Sequence, residues 1–94
     1  MVLEYEPLEL EWRQAEWSGE LEEAKVIGEN TVEACVYERM LTPQFGGCII
    51  ITNRHKHEVR HWVYDDDLEA CKRECERVSG LLLAALGLER PGEG

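Results

Sequence analysis

Asp65-Asp66-Asp67-Leu68-Glu69-Ala70-Cys71-Lys72-Arg73-Glu74-Cys75-Glu76-Arg77-Val78-Ser79-Gly80-Leu81-Leu82-Leu83-Ala84-Ala85-Leu86-Gly87 is the stretch in which apolar residues recur every three to four positions. Leu68, Cys71, Cys75, Val78, Leu82 and Ala85 or Leu86 form one stripe, the period of an amphipathic helix. Asp66 is placed to cap the first free amides and Glu69 to reach back as in a capping box, and early acids suit the positive end of the helix. Gly87 and then Pro91 stop it. A helix of about 20 residues is roughly 30 Å long. Gly80 within it costs about 1 kcal/mol relative to Ala.

Upstream of Asp65 the period is two. Leu8, Leu10 and Trp12 alternate with Glu9, Glu11 and Arg13, and Val32, Ala34 and Val36 alternate with Glu33, Cys35 and Tyr37, each the mark of a strand with one wet face. Glu20 to Ile27 is read as a further strand that leaves through a tight turn at Gly28-Glu29-Asn30. A short helix starting at Ser18 is the competing reading there, and the β-branched Val26-Ile27 favours strand. Met40 to Gly47 reads as a loop through its Pro and paired Gly. Cys48 to Thr52, apolar on both faces, reads as an interior strand, and Val59 to Tyr64 follows it after a polar turn at Asn53 to Glu58. The expected fold is α+β: an antiparallel sheet of four or five strands with one long C-terminal helix packed on one face.

Lys72, Arg73, Glu74, Glu76 and Arg77 give the first half of that helix a wet face, whereas Leu81 to Leu86 is apolar around most of its circumference. One sheet cannot cover a helix on every side. Leu81, Leu82, Leu83 and Leu86 are therefore expected to form a dimer interface or to meet the target, the chain's own acidic N-terminal segment being the alternative cover.

The 94 residues suffice for a single domain, residues 1–94, with residues 1–7 expected as a loose N-terminus and 88–94 as a flexible tail. The first residues lack the basic and apolar regions of a signal peptide, and the longest apolar run is far short of a membrane span, so a cytoplasmic protein is expected. The first 38 residues hold eleven carboxylates against Arg13 and Lys25, a formal charge of −9, within a chain whose net charge is −10. Such a field repels nucleic acid and acidic membranes and attracts basic protein surfaces.

Leu10-x-Trp12-Arg13, Trp17-x-Gly19, Ala24-x-Val26-x-Gly28, Ala34-x-Val36, Gly46-Gly47 and Asp67-Leu68-Glu69-Ala70-Cys71-Lys72 with Cys75-Glu76 together resemble small proteins of phages and prophages, a meander of strands followed by a helix. Cys48 stands where an aromatic residue commonly follows the paired glycines. The resemblance implies a phage-type origin, with the cytoplasm of a host cell as the location, and carries over no catalytic residue. In being small, acidic and free of motifs the chain is also similar to anti-CRISPR proteins.

The residues themselves offer three chemistries. His55, His57 and His61 with Cys71 and Cys75 could hold Zn²⁺, but both thiols lie on the apolar stripe, where reduced core cysteines are the plainer reading, so no metal or other cofactor is expected. A catalytic thiol needs an electropositive setting, whereas Cys71 follows a run of acids; with no phosphate loop or nucleophile elbow, an enzyme is not expected. Arg54, His55, Lys56, His57 and Arg60 form a basic hairpin tip that could touch phosphates, which the overall charge opposes. The remaining reading is protein contact. Glu9, Glu11, Glu20, Glu22 and Glu33 are expected to form an outward carboxylate row that imitates nucleic acid and blocks a host nucleic-acid-handling protein such as a CRISPR effector. Trp17, Tyr37 and Phe45 are the expected aromatic anchors. The alternative is a self-assembling accessory protein, a homodimer through its helix.

Overall fold

The computed structural model describes residues 4–16 and 19–91. Five strands, β1 (Arg13–Gln14), β2 (Glu22–Val26), β3 (Thr31–Glu38), β4 (Phe45–Thr52) and β5 (Glu58–Asp65), precede one helix, α1 (Leu68–Ala85). The strands form an antiparallel meander in chain order, so each pairs with its sequence neighbour. The α+β fold is the expected one. Alternation decides which face meets the helix: Ala24, Val32, Ala34, Val36, Ile49, Ile51 and Val63 are buried beneath it together with Cys71, Cys75, Val78 and Leu83. Gly47 lies under the helix because a Cβ there would stand 2.5 Å from Cys75 Sγ. Phe45, Gly46 and Gly47, expected in a loop, are the first residues of β4.

The segment Leu8 to Trp12, expected as a strand, does not join the sheet; only Arg13–Gln14 does. The rest forms a strap along α1. Its in-and-out alternation is the same as a strand's, with Leu8 and Leu10 buried and Glu9 and Glu11 exposed, but the surface beneath is the helix. The Leu8 N–H donates to Glu76 O at 3.0 Å and the Leu10 N–H to Glu76 Oε2 at 2.9 Å. The second surface required by the apolar end of the helix is thus at least partly the chain itself. Leu83 is 1% exposed in the same cluster as Leu8 and Leu10, while Leu81 and Leu82 are half-buried and Leu86 is exposed. Glu76 and Lys72, expected on the wet face, are both buried, Glu76 beneath the strap and Lys72 where it meets Glu22 of β2.

Helix α1 is capped one residue later than expected. Asp67 Oδ2 accepts from the Ala70 N–H, while Asp66 Oδ1 accepts from the Gln44 N–H and Glu69 pairs with Lys72. The helix closes with Gly87 donating to Ala84 O and Leu88 to Leu83 O, a Schellman arrangement. Of the residues expected to be loose at either end, 1–3 and 92–94 lie outside the described residues; among the others, Arg90 donates to the carbonyls of Glu6 and Pro7, Arg77 donates to Tyr5 Oη, and Pro91 is buried against Gly28.

Gly80 is the point of closest approach, since a Cβ built there would stand 1.9 Å from Glu6 O. Gly80→Ala is therefore expected to destabilise the protein by about 1–3 kcal/mol through displacement of the strap, despite Ala being the better helix former. In a chain lacking residues 1–10 the same substitution is expected to stabilise by about 0.5–1 kcal/mol. Urea unfolding of the four proteins measures this change of sign.

Candidate protein interface

With the helix and strap on one side, no element among the described residues covers the opposite face of the sheet. Strand register arranges its side chains in rows: Glu23, Cys35, Cys48 and Trp62 in one; Lys25, Glu33, Ile50 and Arg60 in the next; and Tyr37, Gly46 and Tyr64 in a third. Tyr37 covers Gly46, the Arg39 guanidinium stands 4.5 Å from the Tyr64 ring centroid, and about half the surface of Trp62 and Tyr64 is open to solvent. A groove of about 350 Å³ crosses this face, lined by Arg13, Glu20, Glu23, Lys25, Cys35 and Cys48 among others. Its charges are mixed in sign. Lys25 faces Glu33 at 3.6 Å and Arg60 faces Glu58 at 3.2 Å.

The expected carboxylate row is not formed. Glu22 shares the parity of Ala24, so it points towards the helix and bonds Lys72 Nζ at 2.8 Å. Glu33 lies on the open face against Lys25, and Glu20 lines the groove beside it. Glu9 and Glu11 are on the strap. The acids instead separate into a mixed-charge sheet face and an acidic strap, in which Glu4, Glu6, Glu9 and Glu11 are exposed, with Glu16 exposed just beyond β1. Among the described residues, none of these five carboxylates has an ion-pair partner within 4 Å.

Of the expected aromatic anchors, Tyr37 is on the open face. Phe45 has the parity of Gly47 and Ile49 and packs against the core, so its ring is not displayed on that face. Trp17 lies outside the described residues. Trp62, Tyr64 and Ile50 complete the open face and were not singled out from the sequence. Their signal was their alternation with Val59, His61 and Val63 on β5 and with Ile49 and Ile51 on β4.

The thiols are held protonated. Burial pushes Cys75 up strongly and Cys71 up as well, and both side chains are fully buried. On the open face Cys35 is pushed up to about 12 by burial and by the nearby Glu20 carboxylate, and Cys48 is raised mainly by burial. His61 is exposed, as are His55 and His57, whose ring centroids are 6.3 Å apart. Among the described residues no three His, Cys, Asp or Glu side chains converge on a point where they could hold a metal ion. Comparison with protein-family models, with curated proteins and with solved structures finds no match.

Two expectations follow from this electrostatic layout. Hydrogen bonds from Lys72 to Glu22 and Glu69 raise the lysine above its ordinary value. A raised folded-state value stabilises below the unfolded value of about 10.4 and loses that stabilisation as pH climbs through the folded one. Lys72→Met should therefore cost about 2 kcal/mol, steady from pH 6 to 9 and shrinking above about pH 10.5, measured by urea unfolding across that range. Iodoacetamide at pH 8 should leave Cys71 and Cys75 unmodified until the protein is unfolded, with any slow labelling confined to Cys35 and Cys48; peptide mass mapping distinguishes them.

Proposed function

We propose that this protein is a non-catalytic binding protein whose acidic strap occupies a basic surface on a partner protein, of the kind that holds nucleic acid, and so inhibits or modulates that partner. The observation that carries this reading is the display of Glu4, Glu6, Glu9 and Glu11 on a segment fixed to the helix through Leu8, Leu10 and Glu76. In extended chain, carboxylates two residues apart are spaced about 6.8 Å along one side, which gives two pairs, Glu4 with Glu6 and Glu9 with Glu11, separated by a three-residue step. They are fixed before binding, so little ordering entropy is lost when a basic groove closes over them. The net charge of −10 adds long-range steering towards a cationic partner and disfavours direct contact with nucleic acid. A phage-type origin, with the partner a host defence or replication protein, accords with the charge and size of the chain. Among the described residues no helix is long and apolar enough to cross a membrane.

The test is affinity capture from host lysate at about 50 and 300 mM salt, followed by titration of the captured partner. Replacing Glu4, Glu6, Glu9 and Glu11 by Gln should weaken binding at least about tenfold and flatten its salt dependence, because fewer charges are desolvated and screened. Unchanged affinity in a variant with wild-type unfolding behaviour would exclude the strap as the contact surface.

A further inference from the structure

The sheet ends in an eight-residue strand, β5, that among the described residues pairs only with β4. Neighbouring hydrogen bonds set the direction of its polar groups. The Asn53 N–H donates to His57 O, so the pairs Ile51–Val59, Ile49–His61 and Gly47–Val63, in step with it, exchange the ladder's hydrogen bonds. The Arg39 N–H to Gln44 O bond sets the complementary phase on the β3 side of β4. The backbone N–H and C=O groups of Glu58, Arg60, Trp62 and Tyr64 therefore point away from β4. Among the described residues no hydrogen bond to them is formed. Side chains along this edge are exposed on both faces of the sheet, Val59 and His61 on one, Arg60, Trp62 and Tyr64 on the other.

We propose that β5 is a homodimerisation edge, pairing antiparallel with β5 of a second copy about a two-fold axis at His61 and extending the sheet across both chains. This register places Glu58 opposite Tyr64 and Arg60 opposite Trp62 of the second copy, so all four outward residues on each strand find ladder partners. Moving the axis to Arg60 or Trp62 would set Tyr64 or Glu58 opposite a residue beyond the strand. On the open face the register brings each guanidinium beside an indole, a cation–π pair made twice. On the helix side it sets Val59 against Val63.

Charge complementarity supports the same occupant. The hairpin tip carrying Arg54, His55, Lys56 and His57 is the basic cluster of the chain, and Asp65-Asp66-Asp67 is its densest run of acid. The chain turns at 54–55 before β5 and bends at 66–67 after it, so the two-fold axis brings the hairpin tip with Lys56 and His57 to the end of the second copy's β5, where Asp65, Asp66 and Asp67 lead into the helix, once at each end of the interface. Lys56 is exposed and has no ion-pair partner among the described residues. The three aspartates each accept one backbone hydrogen bond, from Asp67, Gln44 and Ala70 in turn, and keep lone pairs to spare. These local attractions oppose the repulsion between two chains of charge −10.

The test combines sedimentation equilibrium of the full chain over about 5–500 µM with amide hydrogen exchange at both ends of that range. The expected result is a reversible dimer in which the amides of Arg60, Trp62 and Tyr64 slow at least about tenfold as concentration rises, while those of Val59, His61 and Val63 are protected throughout. Lys56→Asp, at an exposed position with φ of 66°, which aspartate tolerates, should keep the fold and weaken the dimer by about tenfold or more. A monomer at 500 µM would overturn the proposal. So would a dimer whose Arg60, Trp62 and Tyr64 amides still exchange fast, which would move the contact elsewhere, such as Leu81, Leu82 and Leu86. A dimer insensitive to Lys56→Asp would overturn the register.

Discussion

The carboxylate of Glu76 is the fastening on which the rest of this architecture depends. A single helix laid on a five-stranded sheet leaves its own outer side and the β1–β2 end of the sheet uncovered, and among the described residues there is no second helix for the task. The chain solves this with extended backbone, whose N–H groups need partners wherever they are buried. Glu76 supplies them twice, from its main-chain carbonyl to Leu8 and from its side chain to Leu10, while Arg73 holds the other carboxylate oxygen at 3.0 Å. Burying two leucines is worth about 1.5–3 kcal/mol each. That outweighs the cost, about 1–3 kcal/mol, of the Trp12 indole N–H, which is buried with no partner among the described residues.

The same fastening sorts the charges. Glu22 and Lys72 are drawn inward between sheet and helix, and Glu33 is matched by Lys25 on the open face. Glu4, Glu6, Glu9 and Glu11 stay unmatched on the strap, whose inward positions are taken by Leu8 and Leu10. Two surfaces of different character result: a mixed-charge, aromatic sheet face with a long edge, suited to a self-complementary contact, and an acidic ridge suited to a cationic one. Since they lie on opposite sides of the sheet, occupying one leaves the other free.

Much of this was legible in the sequence. The change of period at Asp65 separated meander from helix, and Gly28-Glu29-Asn30 lay at a real turn between β2 and β3. The misreadings have identifiable physical causes. Leu8, Leu10 and Trp12 alternate as they would in a strand because extended chain lying on a helix obeys the same rule; only Glu76 and Gly80, more than 60 positions away, distinguish the two cases. Three consecutive aspartates can each cap a helix, and geometry rather than composition selected Asp67. The supposed carboxylate row failed on parity. Glu22 shares a face with Ala24 and Glu33 shares one with Cys35, so no single surface could have displayed both, a conclusion open to anyone pairing Ala24 with Ala34 across the hairpin.

The two edges of the sheet differ in a way that bears on what the molecule does with them. An exposed edge is a template for another strand, and proteins that must stay apart shorten it, bend it or line it with charge. On one side the edge is blunted by length, since β1 contributes only Arg13–Gln14. On the other, β5 is eight residues long, contains neither proline nor glycine, and mixes its charges with Val59, Trp62, Val63 and Tyr64. Its two ends carry opposite charge, basic at the tip before it and acidic at the helix start after it. Such a polarised strand matches its own antiparallel copy and opposes a parallel one, which would set Asp65 to Asp67 against themselves. The edge thus carries in its charge order the direction of approach that backbone hydrogen bonding alone would leave undecided.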